Sequence, residues 1–330
     1  MPLFEIGYRR YEGERTHERM RWWPIARHGW TLAWRAKLLR RLLLVSELPI
    51  LYFAPLFFFI GRLTDPDIAL PGGAGRDLAE AFFGNELIAR LRTDPTAVRT
   101  AVWAIAFTFF TTLIQLIVSV LVASVAGPPL ISQDLRTKAF LLYFSRPISS
   151  VDYLIGKAVS LGGLLAAVTL VPSLVLYSLS IAFSPSLETI LHTLPVLLDV
   201  AQAALVLIVP LTLVVLTLSS LTKQARFAAI AWAVVCGFGV LFHQAITATR
   251  ELRNASWPLL TSLIETVREA QLSIYDIPGR VDAIPGAPLM RNFKQFYAHQ
   301  HGTTALLFLA ALSAICWLVL VRRVSAPTRI

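Results

Sequence analysis

This sequence is poor in the residues that carry most enzyme and redox chemistry. It has two cysteines, three methionines and six histidines in 330 residues. Cys236 and Cys316 both fall inside apolar runs, where a small, soft side chain is a packing residue. Two such residues make no disulfide framework and no thiolate metal site. His17, His28, His192, His243, His299 and His301 lack carboxylate partners at ligand spacing, so no metal is expected. There is no CxxC, no HExxH and no GxSxG, which leaves zinc-protease and serine-nucleophile chemistry without support. A phosphate loop is missing too. Gly156-Lys157 carries Ala158 where the magnesium-binding hydroxyl belongs, and Val151 occupies the place of the first glycine. Charge is scarce at 15%, and no repeat of fixed period is present.

What fills the sequence instead is apolar. Hydrophobic residues make up 56% and the mean hydropathy is +0.64, which places the chain among membrane proteins. A crossing of the hydrocarbon layer takes roughly 20 apolar residues. Six runs qualify, at about 42–61, 101–126, 158–183, 196–221, 227–247 and 303–321. The expected fold is therefore an all-α polytopic membrane protein with six spans. No secretory signal is expected, because residues 5–21 are densely charged and the first apolar run begins only at Leu42.

A net charge of +10 would suggest nucleic acid in a soluble protein, but here the placement of the charge points elsewhere. With the N-terminus inside, the inner segments hold 19 Lys/Arg against six Asp/Glu, and the outer segments 11 against 12. That is the asymmetry of the positive-inside rule. It puts both termini in the cytoplasm and makes anionic lipid, not nucleic acid, the partner of the basic residues.

Residues 23–41, WPIARHGWTLAWRAKLLRR, read as a helix lying at the membrane surface. Pro24 suits a first helical turn, and Trp30, Trp34 and Leu38 follow at four-residue spacing. Trp23, Arg40 and Arg41 complete its headgroup-level set. The alternative is a plain basic flank of span 1. Glu47, at the start of that span, is read as a structural pair with a nearby cation. The other polar candidates within the spans are Gln115, Asp199, Gln202 and His243. Hydroxylated and small residues such as Thr111, Thr169 and Ser173 are read as helix-packing residues. The outer segments 62–100 and 248–302 look like helical caps over the outer ends of the spans.

Residues 127–157 interrupt the apolar runs with charge. Gly127-Pro128-Pro129 is expected to break span 2, and 130–145 to form a short helix with Asp134 near its start. Lys138 follows at i+4 as a matching charge. Phe140, Tyr143 and Phe144 add aromatic bulk, and Pro147 ends the helix. Ser149 and Asp152 are spaced as a capping box for the next helix. The segment reads as a stiff inner elbow suited to docking a partner.

These 27 residues, ISQDLRTKAFLLYFSRPISSVDYLIGK, resemble the inner loop of permease subunits of ABC-2-type transporters. The likeness rests on Asp134, the turn Arg146-Pro147-Ile148-Ser149 and the Gly156-Lys157 pair that opens the third span. Six spans, a preceding interfacial helix and a long outer segment between spans 5 and 6 are similar to that family as well. Thr137 stands where many relatives have glycine, and the loop between spans 1 and 2 is longer than usual. The resemblance implies a bacterial inner-membrane exporter in which a separate ATP-binding subunit hydrolyses ATP with magnesium. Two permease chains, alike or different, would form the pathway. The elbow residues Asp134, Arg136, Lys138, Arg146, Pro147, Asp152, Gly156 and Lys157, with Phe140, Tyr143 and Phe144, would receive the ATPase. Arg146→Glu would then abolish partner-stimulated ATP turnover.

Two other readings stay open on the residues. One is a membrane-embedded enzyme using Asp199, His243 or Glu47 on a lipid-like substrate. The other is a non-transporting anchor that recruits a cytoplasmic partner through the same elbow.

Overall fold

A computed structural model describes residues 20–63, 95–139, 143, 148–182, 188–249, 255–282 and 301–325. The charged segment 1–19 and most of the outer segment 62–100 lie outside the described residues, as do Phe140, Phe144, Arg146, Pro147 and His299. Among the described residues there is no strand. With no water in hydrocarbon to satisfy the backbone, a run of apolar residues has the helix as its solution. Among the described residues, five helical stretches are long and apolar enough to cross a membrane: Thr100–Thr137, Ser150–Ala182, Ile190–Leu221, Ala225–Thr247 and Gly302–Ser325.

The chain begins with α1 (Trp23–Arg35), α2 (Lys37–Val45) and α3 (Leu48–Leu63). The apolar run expected to be one span at 42–61 is therefore divided. Ser46 and Glu47 separate α2 from α3, and the Ser46 hydroxyl turns back to the Leu43 carbonyl at 2.6 Å. The uninterrupted α3 has 16 residues, about 24 Å of helix against roughly 30 Å of hydrocarbon.

Next come α4 (Pro95–Phe109), a π-helical turn at Phe110–Gln115 and α5 (Leu116–Ala126). Then α6 (Pro129–Thr137) follows with no true break. Gly127 and Pro128 keep right-handed helical angles, so the expected break is a kink, with the Gly127 N–H still bonded to Ala123 O at 2.9 Å. Proline at a first helical turn has no N–H to lose there, which is why two prolines fit.

The long helices α7 (Ser150–Ala182) and α8 (Glu188–Leu221) form the centre. Their 33 and 34 residues give about 50 Å each, so both outrun the hydrocarbon layer. Against α7 lie α1, α3, α5 and α8; against α8 lie α4, α6 and α13 (Gly302–Ser325). The fifth span is α9 (Ala225–Ala233), a π-helical turn at Val234–Phe238 and α10 (Gly239–Thr247). Two apolar clusters hold the bundle. One, around Leu161, Leu165, Leu207 and Leu211, serves the elbow half. The other, around Trp103, Phe107, Phe110, Tyr177 and Tyr275, serves the opposite half.

The segment after α10 corrects one expectation. It was read as a cap, yet α11 (Leu263–Tyr275) is packed between α8, α13 and α4. Thr266, Val267, Ala270, Gln271 and Tyr275 on it are each at most 1% exposed. The approach is a 3₁₀ turn, Trp257–Thr261, whose Pro258 carbonyl meets His243 Nδ1 at 2.9 Å. The backbone of Thr261 and Ser262 then passes against Gly239, eight residues or about 12 Å down from the end of α10. The chain thus dips beside the fifth span and returns through α11 and α12 (Ile277–Asp282).

Candidate functional site

The elbow is built around α6, the nine residues that carry the second span beyond its kink at Gly127 and Pro128. Its N-terminus is fastened by a hydroxyl from α8. Ser219 Oγ accepts the N–H groups of Ile131 at 3.1 Å and Ser132 at 3.0 Å, and donates to Pro128 O at 2.6 Å. One side chain thereby satisfies two of the four orphan donors of a helix start and ties that start to a span. Ser219 is fully buried, so these groups have no water to fall back on.

The middle of α6 is fastened to α7. Asp134 Oδ2 lies 2.7 Å from Lys157 Nζ and also accepts from the Tyr153 hydroxyl at 2.7 Å. Tyr153 and Lys157 are one helical turn apart on α7, so both reach the same carboxylate. The ammonium stands 5.5 Å from the Tyr153 ring centre, and the Tyr143 ring lies 5.3 Å from that of Tyr153. Burial, and secondly the Asp134 carboxylate, push the Tyr143 phenol above its ordinary value. Tyr143 thus packs on the tyrosine that holds an ion pair whose side chains are only 16% (Asp134) and 11% (Lys157) exposed.

Here the expected Asp134–Lys138 pair is corrected. Asp134 lies in the second half of α6, not near its start. The helix ends at Thr137 because Lys138 turns to the left-handed region at φ 55°, where the Ala139 N–H closes on Asp134 O at 3.0 Å. The helix expected over 130–145 is therefore interrupted at Lys138; Tyr143 is helical again, its N–H on Ala139 O at 3.1 Å, and residues 140–142 and 144–147 lie outside the described residues. Arg136 and Lys138 are exposed and make no ion pair among the described residues. They form the outward cationic edge of the elbow. The capping box at the start of α7 is present. The Asp152 N–H donates to Ser149 Oγ at 3.0 Å, while Asp152 Oδ2 accepts from the Ser149 hydroxyl at 2.7 Å and its N–H at 3.2 Å. Ser150 and Ser325 hydroxyls, 3.2 Å apart, tie the same end of α7 to α13.

The helix expected at the membrane surface is keyed onto α7. A side chain at Gly156 would start 2.7 Å from Ile25 Cβ and 2.9 Å from Trp22 O, and one at Gly163 would start 2.6 Å from the Trp30 ring. Gly29 lies directly on Ser160. Through this gap Trp30 donates its indole N–H to Ser160 O at 2.9 Å. The expected Trp30–Trp34–Leu38 stripe therefore divides. Trp30 faces α7, whereas Trp34, Leu38 and Trp23 are exposed, as are Arg40 and Arg41. The expected single helix 23–41 bends at Ala36, which adopts extended angles.

The polar residues expected within the spans do not converge on one centre. Gln115 donates to Thr169 O at 2.8 Å and Ser173 Oγ at 3.1 Å, a helix-to-helix tie. Asp199 is bound by Arg280 of α12, a partner the sequence does not announce. Close by, Thr111 and Tyr275 share a hydroxyl bond of 3.1 Å, and Gln271 donates to Ala203 O at 3.1 Å. Gln202 is exposed, His243 meets Pro258 O, and Glu47 accepts from Ser46. Among the described residues no three His, Cys, Asp or Glu side chains stand together to hold a metal.

Ser219, Tyr153, Arg280, Gly29 and Gly163 are residues that sequence reasoning missed, and Gly156 was assigned to the elbow whereas it lies under α1. Tyr153 alone had a signal, its one-turn spacing from Lys157. No protein-family model and no curated protein matches this chain.

Proposed function

We propose that this chain is the membrane-spanning subunit of an ATP-driven transporter of the ABC-2 permease type, most simply an exporter. The observation that carries the reading is the double fastening of α6, by Ser219 to α8 and by Asp134 to Lys157 and Tyr153 of α7. A partner pressing on Arg136 and Lys138 moves a rigid body joined to the two central helices, which is what coupling requires. A loop fixed to neither helix would absorb the push. In this reading α2 and α3 make a first, broken crossing. The crossings then number six, and the elbow and both termini share the cytoplasmic side of a bacterial inner membrane. ATP and magnesium belong to a separate cassette subunit, and a second permease chain completes the pathway.

The test is gentle purification from the native membrane with identification of what accompanies the chain. A stoichiometric ATP-binding cassette subunit is the expected result. In that complex, Arg136→Glu with Lys138→Glu lowers stimulated ATP turnover at least tenfold while insertion is unchanged. Reproducible purification of the intact chain with no ATPase overturns the reading.

A further inference from the structure

The bend between α1 and α2 opens a cleft against α7, and its lining has the chemistry of an amphiphile site. Ala36 adopts extended angles, φ −73° and ψ 111°, so α2 leaves the line of α1 instead of continuing it. The resulting cleft has a volume of about 880 Å³, within the ~300–1,000 Å³ of small-ligand clefts. Its floor on α7 is Gly163, Leu164 and Ala167, which offer no polar side chain. Its rim carries Arg35 from the end of α1 and Arg40 from α2, with Trp30 and Trp34 as aromatic walls.

Each wall has a reason. Trp30 is held in place by its bond to Ser160 O, so that side of the cleft is pre-formed. Trp34 is 57% exposed, and an indole so placed sits at headgroup level in a bilayer. Both arginines are exposed and make no ion pair among the described residues. The nearest acidic residue along the chain, Glu47, accepts from Ser46 rather than from either guanidinium. A dry floor beneath two unpaired guanidiniums lacks one thing, an anion that carries its own hydrocarbon.

We infer that this cleft binds one anionic phospholipid. Its phosphate lies between Arg35 and Arg40, and an acyl chain lies on Gly163, Leu164 and Ala167. Guanidinium suits the role because its planar fork binds phosphate oxygens in pairs. The occupied cleft fills the angle between α1 and α2, so the lipid is a wedge that sets how α2 leaves α1. The inference does not rest on the transport reading, since it uses neither the elbow nor ATP.

Native mass spectrometry of the purified full-length chain tests it, with phosphatidylglycerol and phosphatidylcholine of matched acyl chains. Each cation beside an anionic lipid is worth about fivefold in affinity, so two give roughly 25-fold preference for phosphatidylglycerol. The expected result is one phosphatidylglycerol retained per chain. Arg35→Gln with Arg40→Gln reduces its preference to within about twofold, while Arg322→Gln with Arg323→Gln, outside the cleft, leaves it intact. Ala167→Phe, which fills the floor, lowers retention of both lipids. Thermal unfolding of each variant in the same detergent checks that it is folded. Equal retention of the two lipids by the wild type overturns the inference, as does equal loss in the Arg322/Arg323 variant. Headgroup-only glycerophosphoglycerol binding as tightly as the lipid also overturns it, because the floor would then be idle.

Discussion

Replacing Asp134 by Asn tests whether the elbow is held by charge. The substitution keeps the size and a hydrogen-bond acceptor for Tyr153, and removes only the counter-charge of Lys157. Lys157 is 9% exposed as a residue, so its ammonium cannot simply return to water. Removing one member of a buried pair costs about 3–5 kcal/mol. The residual exposure of both side chains puts Asp134→Asn at the low end, about 3 kcal/mol. Lys157→Met leaves the carboxylate with the Tyr153 hydroxyl as a donor and costs less, about 2 kcal/mol. The double variant has an amide and a thioether where the ions were, and should cost no more than Lys157→Met alone. The coupling is then about 3 kcal/mol, the upper end for residues in contact. A double-mutant cycle measured by reversible SDS titration in mixed micelles reads it directly. If the double variant costs the sum of the singles within about 0.5 kcal/mol, the two groups act independently. The charge argument for the elbow then fails.

Two further outcomes follow from the same geometry. Ser219→Ala strands the Ile131 and Ser132 amides, while the Pro128 carbonyl keeps the Ser132 hydroxyl at 2.6 Å, at a cost of about 2 kcal/mol. Hydrogen exchange should quicken at those two amides by at least tenfold and stay unchanged at the start of α7; protection equal to the wild type would remove Ser219 from its capping role. Gly156→Leu drives a side chain into Ile25 and the Trp22 carbonyl, so α1 must lift from α7. Limited proteolysis should then cut at Arg27 or Arg35 in the variant and not in the wild type, and identical digests would show that α1 is not seated there.

Much of the architecture was legible because its signals are local. Five spans follow from apolar runs, and the Ser149–Asp152 box follows from a three-residue spacing that the folded chain uses in both directions. Reading failed wherever a local rule met a distant partner. The i+4 rule assigned Lys138 to Asp134, but a left-handed residue ends the helix there, and the cation that arrives lies 23 positions later. Periodicity placed Trp30 with Trp34, because spacing cannot tell a lipid-facing indole from one seated on Gly163 of a neighbouring helix. The outer segment 248–302 reads as a helical cap from its place between two spans, and its helix carries Glu265, Arg268 and Glu269. Yet Glu265 and Arg268 pair with each other at 3.6 Å, Glu269 accepts the His301 N–H at 2.8 Å, and the opposite side is buried. Amphipathic helices inside a membrane bundle carry the same pattern as those on its surface.

The distribution of polar contacts says what kind of object the elbow is. Between spans, attraction is mostly dispersion, spread over many atoms and tolerant of small slides. At the elbow it is directional: a hydroxyl caps α6 against α8, an ion pair pins its middle to α7, and Ser150 meets Ser325 of α13. Directional bonds made at the start and the middle of a nine-residue helix leave it few low-cost ways to bend. A load on its exposed edge at Arg136 and Lys138 therefore passes to α7 and α8 before α6 deforms. The same α7 also carries α1 on its glycine notches and the floor of the lipid cleft. Motion entering at the elbow must then carry α1 along with α7, unless Trp30 releases Ser160. Cleft occupancy and elbow position are in that case two readings of one coordinate, the tilt of α7.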